Sequence, residues 1–318
     1  IWLSFTEDII GRMPEEVPEE FAGVENIAQL LAEDTNKVEF GSYLINTAAF
    51  EVAKVDINES SAWVIVRGDN VTVFGFQNYV FAFTDSAMHI AFRNNVLWLL
   101  FGTAFSVGLG LLIATLVDRI RRESLAKSMI FLPLAISFVG ASVIWKFVYA
   151  WQPAGRPQIG ILNAVVTAFG AEPIPWLINA PLNTFALILI MIWLQTGFAM
   201  VVLSAALKGV PSELLEAARI DGANEIAIFF RVIIPYIKGA IMTVSTTIFI
   251  AVLKVFDIVY VMTSGKFETE VVANRMFVEM FNFRNFGRAS ALAVILLVVV
   301  IPIMVVNVRN LRQQGINQ

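Results

Sequence analysis

The sequence predicts an all-α, polytopic helical membrane protein with a small mixed insertion on its outer side, and three observations carry this. Of 318 residues, 58% are apolar and 15% charged, with a mean hydropathy of +0.73. Soluble domains run at about 45–50% apolar and about 25% charged, so a soluble core of this size cannot absorb the excess. Five apolar runs, at 95–117, 128–150, 184–207, 239–263 and 289–308, are each long enough to cross a bilayer. A helix needs roughly 20 residues for about 30 Å of hydrocarbon. The runs are continuous rather than alternating, which argues against a closed barrel. Residues 1–5, Ile-Trp-Leu-Ser-Phe, read as the last turn of a further membrane helix.

Charge assigns the sides. Short cytoplasmic loops concentrate Lys and Arg. The stretch 118–127 carries Arg119, Arg121, Arg122 and Lys127, and 208–238 carries Lys208, Arg219, Arg231 and Lys238. Both are expected in the cytoplasm, with the tail 309–318, which opens on Arg309 and continues to Arg312. The stretch 151–183 has only Arg156 among basic residues and is expected outside. The stretch 264–288 is mixed in charge, and alternation puts it outside. Residues 6–90 then form an acidic extracytoplasmic region, with 15 Asp/Glu against 4 Lys/Arg. Such a surface argues against nucleic acid as a partner. The transmembrane core is expected over 91–308.

Within the acidic region, the β-branched run 62–67, the turn chemistry Gly68-Asp69-Asn70 and the run 71–74 read as a hairpin. Pro14 to Glu20 reads as a charged linker. Residues 21–26 are echoed weakly by 73–78. The chain has no cysteine and one histidine, His89, read as structural. That excludes disulfides, cysteine-ligated metal and any Ser/His/Asp or Cys/His constellation. No GxxxxGK[ST] loop is present to cradle phosphates. The chain is therefore not expected to be an enzyme.

The stretch 210–235 holds the most information. Pro211 suits a first helical turn. Leu214, Leu215 and Ala218 share one face, with Glu213 and Glu216 on another. Gly222 can take the left-handed turn that ends a helix, and Asp221 or Asn224 can cap the next one. Pro235 marks a bend into the following span. Read from residues alone, this is a short surface helix, a glycine break and a second helix, with a Glu216/Arg219 pair at i,i+3.

The spacing Glu216-Ala217-Ala218, three residues, Gly222, nine residues, Val232-Ile233-Ile234-Pro235 resembles the EAA loop of ABC importer permeases. Val232 and Ile234 replace the usual Ile and Leu. Residues 74–79, 91–95 and 254–265 resemble maltose-type carbohydrate permeases, and 270–290 is most similar to their alpha-glucoside subgroup. Ser264-Gly265-Lys266 departs from the glycine pair and proline common there. The resemblance spans about 70–310 and implies the ABC importer permease fold in a bacterial inner membrane. It implies that the loop is a coupling helix, with Glu213, Glu216, Ala217, Ala218, Asp221 and Gly222 at the ATPase contact. It implies as partners a second permease subunit, an ATPase dimer that binds ATP and Mg, and an extracytoplasmic solute-binding protein, all around a chain that sits in lipid and holds no cofactor itself. The expected cargo is an alpha-glucoside, with a glucosylated compatible solute such as glucosylglycerol as the alternative. A stand-alone channel or secondary transporter is the competing class, and the coupling loop speaks against it.

A sugar path needs polar groups at membrane depth that avoid lipid. The candidates are Trp193, Gln195, Thr196, Thr246, Thr247, Lys254 and Asp257. Gln offers a donor and an acceptor, and Trp a platform. The threonines have an alternative role in helix-internal bonds, and Lys254 with Asp257 in a gate-holding ion pair. Gly102, Gly108 and Gly110 suit close helix packing.

Overall fold

The computed structural model describes the backbone of five strands within residues 6–75 and, position 119 apart, the chain from 76 to 316. Residues 1–5, the linker 14–20, the stretch 21–26 and the turn residues Gly68 and Asp69 lie outside the described residues. Two units are distinguishable: residues 1–89 with 275–295, and residues 90–274 with 296–318.

The first unit holds one antiparallel sheet in the order β1-β5-β4-β3-β2. The strands are β1 Thr6–Ile10, β2 Ile45–Thr47, β3 Phe50–Ile57, β4 Ser60–Arg67 and β5 Asn70–Gly75. The β4–β5 pairing, from Ala62↔Gly75 to Arg67↔Asn70, is the expected hairpin. β1 pairs with β5 in a register that the local sequence does not announce. Helix α1, Gln77–Thr84, follows. Arg288 lies over the Phe81 ring at 4.3 Å, and Arg275 over Phe81 and Phe283 at 5.5 and 5.7 Å. Arg275 also pairs with the fully buried Glu279 at 2.7 Å. His89 is held locally, its Nε2 2.7 Å from the Phe83 carbonyl.

Helix α2 runs from Ser86 to Val117, with a π-turn at Trp98–Gly102. The second unit packs around α6, Leu182–Lys208, whose Leu187, Ile188, Ile190, Met191, Leu194, Met200 and Leu203 are buried. Two glycines set its closest crossings. A Cβ on Gly110 of α2 would meet the Ala199 Cβ at 2.4 Å. One on Gly197 would meet the Ile130 carbonyl oxygen at 2.5 Å. Gly102 meets only ordinary contacts and Gly108 meets nothing within 4 Å, so of the three glycines expected to pack closely, Gly110 alone does.

Two of the apolar runs are not single straight helices. The run 128–150 is a pair, with α3 (Glu123–Phe131) continued as a 3-10 turn to Ala135 and α4 at Phe138–Val148, bent by 100°. Pro133 lies in the 3-10 turn, Ile136 is extended, and the Ser137 hydroxyl accepts from the Gly140 N–H at 3.0 Å to start α4. Helix α5 covers Ile161–Ala168. After α6 come α7, Ser212–Ile220, and α8, Glu225–Tyr236, which contains a π-turn at Phe229–Ile233. Helix α9, Lys238–Leu253, turns 70° from α8 just past Pro235, as the sequence suggests. The run 239–263 then breaks at 254–256 before α10, Asp257–Met262. Asn95 supports the break: its amide donates to the Leu253 carbonyl at 3.3 Å and accepts from the Val272 N–H at 3.0 Å. Helix α11, Val272–Phe277, precedes α12, Phe286–Ile316. Among the described residues, α2 and α6 are long and apolar enough to span, and each bent pair passes the same test when its halves are taken together.

Candidate functional site

Helix α7 lies open to its surroundings: none of its residues is buried. Leu215 and Ala218 are half-buried, while Glu213, Glu216 and Ala217 are exposed. Leu214 is more exposed than its helical face suggests, and Ile220 stands 86% exposed. The result is a surface that alternates acid, small and branched apolar side chains. Gly209, Val210 and Pro211 connect it to α6. At the other end Gly222 takes φ +81°, the left-handed region that suits glycine. Asp221 lies exposed at the helix end. Asn224 is the cap of the next helix, accepting from the Ala227 N–H at 2.8 Å.

Arg219 does not serve mainly Glu216. Its Nε donates to Glu225 at 2.8 Å, which spans the glycine turn and ties the two short helices together. That hydrogen bond, followed by the charge of Glu225, holds the guanidinium above its ordinary range. An exposed pair of this kind contributes little to stability, because solvent screens it. Glu216 is thus left presented to the surroundings.

The membrane candidates fall into two groups. Gln195 and Thr196 lie mid-way along α6, both nearly buried. Thr196 donates to its own helix at Ile192, at 2.6 Å. Among the described residues, Gln195 makes no hydrogen bond. Trp193 is a half-buried packing residue, edge-on to Trp145 at 5.8 Å. Trp145 continues to Tyr149 at 5.1 Å, and the Tyr149 hydroxyl donates to the Ala186 carbonyl at 2.8 Å. Gly197 belongs to a helix crossing.

The second group lies on α9 and at its broken end. Thr243, Thr246 and Thr247 donate to Gly239, Met242 and Thr243 of their own helix, which leaves lone pairs to accept from a ligand. Thr243, Thr247 and Lys254 follow one helical face, with Thr247 and Lys254 exposed. Asp257 is half-buried at the start of α10. Among the described residues Lys254 and Asp257 are not ion-paired with each other. Phe256 and Tyr260 stack at 5.1 Å and 24° at the same break, with Tyr260 40% exposed. This aromatic pair escapes a reading of the sequence that looks for tryptophan. Among the described residues no group of three or more His, Asp or Glu could hold a metal ion.

A family model described as the binding-protein-dependent transport system inner membrane component matches residues 106–312. The chain belongs to this family. Among curated relatives, this permease is 62% identical to the osmoprotective compounds uptake permease protein GgtC of Synechocystis sp., over 76% of the chain and 86% of the relative. It is 50% identical to the alpha-glucoside transport system permease protein AglF of Rhizobium meliloti, over 80% of the chain and 76% of the relative. Its fold matches a bacterial alginate ABC transporter crystallised with an alginate pentasaccharide-bound periplasmic protein, at a TM-score of 0.65 and 20% identity. That match covers 74% of this chain and 81% of the other. The all-α membrane permease fold and the family expected from the EAA spacing both hold.

Proposed function

We propose that this permease imports alpha-glucosides, coupling their passage to ATP hydrolysis in a partner ATPase dimer through α7. The observation that carries the coupling part is the geometry of α7: a helix with no buried residue and Glu216 presented, joined to α6 by 209–211 and ended by a left-handed Gly222. ATP and Mg belong to the partner, since this chain has no phosphate loop. ATPase closure displaces α7 and biases the bundle between two states. A second permease subunit covers the polar face of α9, because a polar stripe left to lipid would be costly. Glu213, Ala217, Ala218, Asp221 and Gly222 shape the ATPase contact. Gln195, Thr246, Thr247, Lys254 and Asp257 face the sugar, and Trp193 acts behind them as packing.

The cargo reading rests on the 50% identity to an alpha-glucoside permease. The 62% identity to a permease for osmoprotective compounds favours a second reading, a glucosylated compatible solute such as glucosylglycerol. Reconstitution with the ATPase, the neighbouring permease and the binding protein in liposomes separates them. Stimulation of ATP hydrolysis by sucrose, maltose or trehalose supports the first reading. Stimulation by glucosylglycerol alone moves the cargo to the second. Absence of stimulation by any solute in a correctly assembled complex contradicts the importer.

A further inference from the structure

The end of α6, three residues before α7, is tied to α2 and α3 by a small ionic cluster that no part of the coupling motif includes. Asp118 ends α2, at the C-terminal end of the helix, where the macrodipole disfavours a carboxylate. Its presence there calls for a cation. Lys127 of α3 supplies it, with Nζ 2.6 Å from Asp118 Oδ1 and 3.0 Å from Glu123 Oε1. The same ammonium donates to the hydroxyl of Ser204 on α6. Ser204 in turn donates to Asp118 Oδ1 at 2.7 Å, which closes a triangle across three helices. Glu123 extends the cluster to Lys208, the last residue of α6. Ser204 is buried, and the Lys127 and Asp118 side chains are 17% and 15% exposed. Among the described residues Asp118 Oδ2 is buried without a hydrogen-bond partner, and Lys127 is the cation that pairs with this carboxylate.

Its position gives the cluster a task. Only Gly209, Val210 and Pro211 separate Lys208 from α7, and α7 buries no side chain of its own. Packing alone therefore transmits little of a displacement of α7 into the bundle. Charged hydrogen bonds at low exposure are short, directional and costly to break. We propose that Lys127 is a positioning residue for coupling: with Asp118 and Ser204 it clasps the ends of α2, α3 and α6 so that motion of α7 moves them as one body. This rests on the importer reading above.

The test uses the complete reconstituted importer and reads solute imported per ATP hydrolysed. The double variant Lys127→Met with Asp118→Leu removes both charges, which avoids leaving one buried and unpaired. The expected result is an assembled complex whose import per ATP falls about tenfold, within the usual range of coupling free energies. Lys127→Arg, which keeps the charge, restores at least part of the ratio. An assembled double variant with the parent's ratio overturns the proposal. If that variant fails to assemble, Asp118→Cys with Ser204→Cys decides, since the chain has no cysteine of its own. A short bis-methanethiosulfonate cross-link is expected to restore a ratio that falls again on reduction. Equal ratios in the cross-linked and reduced states overturn the clasp. Failure of the parent complex to couple at all would instead contradict the importer reading.

Discussion

The two ends of the second unit are built on opposite principles. The loop 208–238 carries exposed charges: α7 has no buried residue, and the ion pair Arg219–Glu225 is about half exposed on each side. The loop 263–272 is pinned by buried side-chain amides. Asn94 donates to the carbonyls of Glu268 and Glu270 at 2.7 and 2.8 Å, and Asn183 to that of Phe267 at 2.6 Å. Ser264, Phe267 and Glu268 all take positive φ, a conformation that persists only where surroundings over-determine it. Gly265 is enclosed as well, since a Cβ there would lie 2.7 Å from Glu270 and Asn274. The first loop is lightly packed, with Leu215 and Ala218 of α7 only half-buried. The second is held along its length by side-chain amides.

The contrast breaks most visibly at Asn95. Asn95→Ala leaves the Leu253 carbonyl and the Val272 N–H without partners, at a cost of about 2–3 kcal/mol. Thermal unfolding in detergent should show a clear drop in midpoint, and an unchanged midpoint would mean that the break at 254–256 needs no such support. Gly197→Ala is next. Helix propensity favours alanine by about 1 kcal/mol, but the added carbon meets the Ile130 carbonyl at 2.5 Å. Overpacking of that kind costs about 1–3 kcal/mol, so the net change is destabilising, and a raised midpoint would show that the crossing yields.

Gly222→Ala forces a side chain into φ +81° at about 1–2 kcal/mol. Because α7 is unpacked, the cost falls locally: faster hydrogen exchange over 217–224, with the global midpoint nearly unmoved. The smallest effect concerns pH. Burial pushes the Glu279 carboxyl up, against the pull of Arg275 and Arg288. A carboxyl whose folded pKa is raised stabilises most below its unfolded value, about 4.3, and that contribution is lost as pH rises through the folded value. Glu279→Gln should therefore flatten the unfolding midpoint against pH above about 4. The exposed Arg219 stays charged throughout, so Arg219→Gln should leave the slope unaltered.

What was legible in the sequence is what local chemistry decides. The β4–β5 hairpin, the span of α7, the left-handed Gly222, the Asn224 cap and the bend after Pro235 each follow from a few neighbouring residues. The 100° bend of the run 128–150 had local signals in Pro133 and Ser137, masked by the apolar residues around them. The break at 254–256 has neither Gly nor Pro, and its support comes from Asn95, more than 150 positions away in the chain. Trp193 is read from the sequence as a sugar platform, and its edge contact with Trp145 is not announced there. Gly197 carries no local sign of the α3 backbone that crosses it. Glu216 and Arg219 sit at pairing distance along the helix, but Glu225 across the glycine turn takes the guanidinium.

A helix that serves to touch another protein can be altered there without cost to the fold. Glu216→Lys puts this to the test, with thermal midpoint and solute-stimulated ATP hydrolysis measured on the same reconstituted complex. The expected midpoint stays within the roughly 0.5 kcal/mol of a surface change, and stimulation falls about tenfold or more. Stimulation at the parent's level, with the complex intact, would contradict it.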